Sequence, residues 1–195
     1  NAAPTAWVGG HLRRKPVVCT PHEVFGAQWN RLPGTHRLAG HGFRAFERAL
    51  LRLPFAGVIA DSDFTRARVV EAGVPAARAH RVYPALDHAF WDPGRHRARP
   101  LKQELGLPPD TFLYLYFGRP GVSKGVEYLV EAAAIVRRRL ERSRLLLILA
   151  DDPPDRHARV LRQVRELGLG EHVIVGDPVP RDEVPGILLA GGCAV

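Results

Sequence analysis

The chain has 195 residues, 46% of them hydrophobic, enough for one ordinary domain or two small ones with real cores. Its apolar run at residues 145–150, LLLILA, is far short of the roughly 20 residues of a membrane-spanning helix, which excludes that class. The formal net charge is +8, yet all but three of the 28 cations are arginines spread along the chain, so compositional bias explains the charge better than a dedicated polyanion patch.

In chain order, KPVVCT at residues 15–20 reads as a buried strand, and residues 38–53 as a helix with Phe43, Phe46, Leu50 and Leu53 on one face. A short strand at 57–60 runs into Asp61-Ser62, a helix N-cap pair, and a helix at 63–72 closed by Gly73. Residues 80–83 form another short strand, stopped by Pro84. WDPGRHRARP at 91–100 is charged, proline-punctuated and without periodicity, the composition of a linker, so the domain boundary is expected between residues 92 and 93.

Beyond it come a strand at 111–117, a helix at 124–141, a strand at 144–150, a helix at 155–167 closed by Gly168, a strand at 172–175, a helix at 182–190 and a strand beginning at Cys193. Near-continuous apolar strands alternating with amphipathic helices predict α/β architecture with parallel sheets covered on both faces. Cys19 and Cys193 sit in apolar runs and read as small buried hydrophobes, not as a disulfide. The pairs His36/His41 and His88/His96 lack cysteine or carboxylate partners, so no structural metal is expected. The absence of methionine, the start at Asn1 and the apolar end at Cys193-Ala194-Val195 read as an internal piece of a longer chain.

The junction YFGRPGVSKGVEYL, residues 116–129, carries the chemistry. Gly118 and Gly121 let backbone approach a ligand, Pro120 stiffens the loop, and the following helix offers its N-terminal partial charge. Arg119 and Lys124 add full charges, a planar fork and a flexible ammonium suited to a diphosphate. The order Ser123-Lys124-Gly125 does not fit a Walker A loop, and an arginine between Gly118 and Gly121 does not fit the dinucleotide fingerprint. Either these cations clamp a phosphate or they are simply solvated.

Gly118-Arg119 followed by Lys124-Gly125 after a strand resembles the donor loop of family 4 glycosyltransferases, which have the GT-B fold of two Rossmann-like domains. TPHEVFGAQW (20–29), VIADSDFTRARVVEAGV (58–74), VYPALDHAFWDP (82–93) and VIVGDPVPRDEVPGILLAG (173–191) resemble further segments of that family in the same order. The chain departs from the pattern in Pro84-Ala85-Leu86-Asp87, where Asn-Gly often precedes the aspartate, and in Ala150-Asp151-Asp152-Pro153, where a glycine-rich turn is usual. The family's E-x7-E segment is expected beyond Val195.

The resemblance implies transfer of a sugar from a nucleotide diphosphate donor, with retention at the anomeric carbon and without a metal or other cofactor. Residues 1–92 would be the C-terminal half of the acceptor-binding domain and 93–195 the N-terminal half of the donor-binding domain. Gly118, Arg119, Gly121 and Lys124 are implied to bind the diphosphate, and Asp177 and Val179 the nucleobase. His22, Glu23 and Ser62 are implied on the acceptor or sugar side; catalysis falls to Arg119, Lys124 and His22, whose imidazole is also simply a loop group bonded to backbone in the plainer reading. The expected partners are a nucleotide sugar and a sugar, lipid or small-molecule acceptor, with no nucleic acid. A cytoplasmic location follows, with basic acceptor-domain helices resting on anionic membrane if the acceptor is a lipid. The alternative is a non-catalytic nucleotide- or polyanion-binding α/β module.

Overall fold

A computed structural model describes residues 3–32, 35–121 and 123–195. The chain divides into two compact units, Asn1–Leu86 and Asp87–Val195. The first contains α1 (Ala3–Leu12), β1 (Val18–Cys19), α2 (Arg37–Leu51), β2 (Gly57–Ala60), α3 (Asp63–Glu71) and β3 (Ala79–Arg81). The second contains α4 (Leu101–Glu104), β4 (Phe112–Gly118), α5 (Val126–Arg139), β5 (Ser143–Leu149), α6 (Pro154–Glu166), β6 (Val173–Gly176), α7 (Val184–Ala190) and β7 (Cys193–Ala194). Every strand pairing in both sheets is parallel, giving two Rossmann-like α/β units.

In the second unit the strand order is β6-β5-β4-β7. Successive side chains of a strand point to opposite faces, and both faces here are apolar. Tyr114, Tyr116, Leu145, Leu147 and Leu149 join Val126, Val130, Val160 and Val164 of α5 and α6 in one core. Leu113, Leu115, Leu146 and Ile148 meet Leu101 of α4 and Ile187 of α7 in another. Leu145 and Leu147 are wholly buried, each worth about 1.5–3 kcal/mol relative to exposure. The chain therefore leaves β4 toward β5 on one side and returns to pair β7 on the other, a reversal of strand order centred on β4.

The first unit has a smaller sheet, β1-β2-β3, with Leu51, Phe55, Val58, Val69, Val74 and Ala79 at its core. The expected strand at 15–20 shrinks to Val18 and Cys19, which alone pair with Gly57 and Val58; Pro16 has no N–H to extend the ladder. Phe43 and Phe46 remain about half exposed instead of facing the sheet, because α2 packs on a 3-10 segment at Gly26–Arg31, where Trp29 lies 5.1 Å from Phe43. Cys193 is exposed, not buried, on the edge strand β7.

The segment that reads as a linker is held against α7. The Arg181 guanidinium lies 4.7 Å above the Phe90 ring, Arg99 N–H donates to the Gly186 carbonyl at 2.9 Å, and the Arg99 side chain pairs with Glu183 at 3.0 Å. These ties put residues 87–92 with the second unit, ahead of the 92/93 division expected from composition.

Candidate functional site

The glycine-rich loop leaves the carboxyl end of β4, the strand at which the order reverses. Ligands of open α/β sheets lie in that crevice, because the flanking connections turn to opposite faces and leave the strand end uncovered. Gly118 takes φ +148°, a conformation L residues rarely adopt, and a Cβ there would stand 3.2 Å from the Tyr116 hydroxyl. Its carbonyl accepts from Ala150 N–H at 3.1 Å, tying the loop to the end of β5. Pro120 is buried and anchors the loop, while Tyr116 Oη donates to the Arg119 carbonyl at 3.3 Å.

The turn closes with Lys124 N–H donating to the Gly121 carbonyl at 2.9 Å. Helix α5 then starts at Val126, later than the expected 124, because Gly125 at φ +66° is its left-handed N-cap. No side chain caps this end, so its first N–H groups have no side-chain acceptor. Arg119 and Lys124 are exposed, and among the described residues neither side chain has a hydrogen-bond or ion-pair partner. Two free cations, an uncapped helix N-terminus and close-approach glycines thus gather at one strand end, an arrangement suited to an anion with several oxygens.

Asp177 follows β6 and is exposed, two strands from β4. Val179 is half-buried against the α4/α7 core, so packing already engages its side chain.

In the first unit, His22 follows β1 and Ser62 follows β2. Parallel pairing of these strands brings their exits side by side, and His22 Nδ1 lies 3.7 Å from Asp61 Oδ2. Asp61, not the exposed Glu23, is therefore the carboxylate beside the imidazole, which itself is 83% exposed. Ser62 caps α3: its Oγ accepts from Thr65 N–H at 3.0 Å and donates to Thr65 Oγ1 at 2.9 Å. His22 and Glu23 border a cavity of about 400 Å³ walled by Phe25, Trp29, Phe43 and Phe46. Glu47 in its wall accepts from Phe25 N–H at 2.9 Å and Gly26 N–H at 2.7 Å, while Arg68 donates to the Phe25 carbonyl at 3.1 Å. These two residues fix the loop carrying His22, and the sequence reading missed both, along with Asp61's place beside His22.

Residues 1–90 match the family model for Glycosyltransferase Family 4, and residues 98–195 that for Glycosyl transferases group 1. A D-inositol 3-phosphate glycosyltransferase of Catenulispora acidiphila is 27% identical over 192 residues, covering 91% of this chain and 45% of the relative. An alpha-D-kanosaminyltransferase of Streptomyces kanamyceticus is 32% identical over 126 residues, covering 64% of this chain and 32% of the relative. The chain thus spans less than half the length of these relatives. The crystal structure of Anabaena Alr3699/HepE in complex with UDP-glucose superposes with a TM-score of 0.77 at 20% identity, over 99% of this chain and 50% of that one.

Proposed function

We propose, since the chain belongs to the group 1 glycosyltransferases, that it forms part of an enzyme moving a sugar from a nucleotide diphosphate sugar to an acceptor hydroxyl. The observation that carries this is the pair of unpartnered cations, Arg119 and Lys124, beside an uncapped helix N-terminus at the strand-order reversal. The bond between the anomeric carbon and the donor phosphate oxygen breaks, and its electron pair stays on that oxygen. Arg119, Lys124 and the N–H groups of α5 offset the growing negative charge, which lowers the barrier more than it tightens donor binding. The acceptor oxygen bonds to the anomeric carbon and passes its proton to the departing phosphate oxygen, with retention of configuration. With two fixed cations at the leaving group, transfer runs without a divalent ion or other cofactor.

Gly118 and Gly121 bring backbone to the diphosphate, and Asp177 with Val179 lines the base pocket. His22 works on the acceptor or sugar side with Glu23 and Ser62, and Asp61 stands beside its ring. In this reading residues 1–92 supply part of the acceptor-binding domain and 93–195 part of the donor-binding domain. The acceptor is a sugar, a lipid or a small molecule. The enzyme works in the cytoplasm. Contact with anionic membrane is supported by α2, whose exposed Arg37, Arg44 and Arg48 accompany partly exposed Leu38, Phe43 and Phe46. Among the described residues no helix is long and apolar enough to cross a membrane.

The test uses the full-length protein with a panel of nucleotide sugars. Arg119→Ala and Lys124→Ala are each expected to lower kcat/KM by on the order of a hundredfold, with chelators leaving the rate unchanged. Unchanged transfer in both variants would overturn the donor-loop assignment.

A further inference from the structure

A second basic site lies at the other end of the sheet that carries the donor loop. Where α5 and α6 finish and β5 and β6 begin, Arg137, Arg138, Arg144 and Arg165 surround a cavity of about 900 Å³, with Glu141, Glu171 and His172 also in its wall. Two of the arginines are accounted for by the helix and strand ends. Arg137 donates to the Gly168 carbonyl at 2.7 Å, and Arg144 to the carbonyls of Glu141 and Ser143 at 3.2 and 2.7 Å. Arg138 and Arg165 have no hydrogen-bond or ion-pair partner among the described residues. Among the described residues none of the four is within ion-pairing distance of a carboxylate, although two carboxylates share the cavity. His172, 3% exposed, is hydrogen-bonded through Nε2 to the Tyr114 hydroxyl at 3.0 Å, and its Nδ1 is buried with no partner among the described residues.

Four guanidiniums cost electrostatic energy by facing one cavity. Arg137, Arg138 and Arg165 offset the dipoles of the α5 and α6 C-termini from the last helical turns, but hydrogen bonds engage only Arg137 and Arg144, which leaves the forks of Arg138 and Arg165 open to a ligand. Guanidinium forks bind phosphate oxygens two at a time, and the cavity is roomy enough for more than one phosphate group. We propose that this cavity, formed by Arg137, Arg138, Arg144 and Arg165 beside His172, is a second anion site that takes a small polyphosphorylated molecule. It is separate from the donor loop: the two lie at opposite ends of the sheet, and the seven residues of β5 alone span about 23 Å. The site does not depend on sugar transfer being the protein's reaction.

The probe is inorganic tripolyphosphate, titrated into the full-length protein carrying Arg119→Ala and Lys124→Ala, so that the donor loop does not contribute. At about 0.15 M salt, calorimetry is expected to show one tripolyphosphate per chain. Adding Arg138→Ala or Arg165→Ala, both exposed and partner-free and so harmless to folding, is expected to weaken binding at least about tenfold each. In NMR the His172 ring resonances shift, and the imidazole, held down by burial first and then by the Arg144 and Arg137 charges, titrates at higher pH when the anion offsets those charges. No binding in the parent, or unchanged affinity in the Arg138→Ala/Arg165→Ala double variant, would overturn the proposal. Flotation with anionic vesicles that depends on these arginines, without a response to tripolyphosphate, would assign them to a lipid surface and overturn it equally.

Discussion

At position 172 the protein holds an imidazole where water scarcely reaches. Burial, followed by the nearby charges of Arg144 and Arg137, pushes the His172 pKa below its ordinary value. The adjoining Tyr114 phenol is pushed up to about 12 by burial, so it keeps its proton and shares a hydrogen bond with His172 Nε2. Because the folded pKa lies below the unfolded value near 6.5, the unfolded chain binds more protons as the medium acidifies. Stability present above about pH 6.5 is therefore lost as pH falls through the folded value. Urea midpoints measured across that range should decline less steeply in His172→Gln, which retains a partner for Tyr114; equal slopes would show that this ring does not set the acid sensitivity. His22 and Asp61 teach a different lesson at the same scale. Both residues are visible in the sequence, but their approach to 3.7 Å depends on the pairing of Val18 with Gly57 and Cys19 with Val58, a long-range register that no local pattern reports.

Among the elements, α3 shows how far a local rule reaches. Ser62 was readable as an N-cap because a β-conformation serine before a helix satisfies a free N–H, and its Oγ does accept from Thr65 N–H. Ser62→Ala is expected to cost about 0.5–2 kcal/mol in chemical unfolding. Glu47 is the harder case: one carboxylate in the middle of α2 accepts from two backbone N–H groups more than twenty residues away in sequence. Glu47→Ala leaves both donors without that partner, which predicts a loss of about 1–3 kcal/mol and faster amide exchange at Phe25 and Gly26. A loss confined to Ser62→Ala, with Glu47→Ala neutral, would mean that the His22 loop is held by Arg68 instead. The helices and strands of the second unit were legible from apolar periodicity because both faces of that sheet are covered. Helix α1 was not read, since APTAWVGGHL has two adjacent glycines and no apolar stripe; Trp7 only partly packs on the first core and stacks on His11 at 5.1 Å.

Across the whole molecule, apolar burial is unevenly divided. The second unit closes a four-stranded sheet between two clusters, one on the α5/α6 face and one on the α4/α7 face, while the first closes three short strands on a single cluster. Its alternation of Leu113, Leu115, Leu146 and Ile148 against Tyr114, Tyr116, Leu145 and Leu147 explains why the parallel sheet was foreseeable from sequence. The two-residue β1 and three-residue β3 of the first unit offer only a brief pattern, so the apolar run at 15–20 overstates the length of β1. A small domain with a thin core retains little stability after the entropy of ordering its chain. Expressed separately, residues 87–195 are therefore expected to melt cooperatively and at the higher temperature, while residues 1–86 give a broad, low transition and bind a hydrophobic dye through Phe43 and Phe46. Calorimetry of both pieces tests this. A sharper or hotter transition for residues 1–86 would overturn this ranking and place the stronger stabilising core in the unit that carries His22.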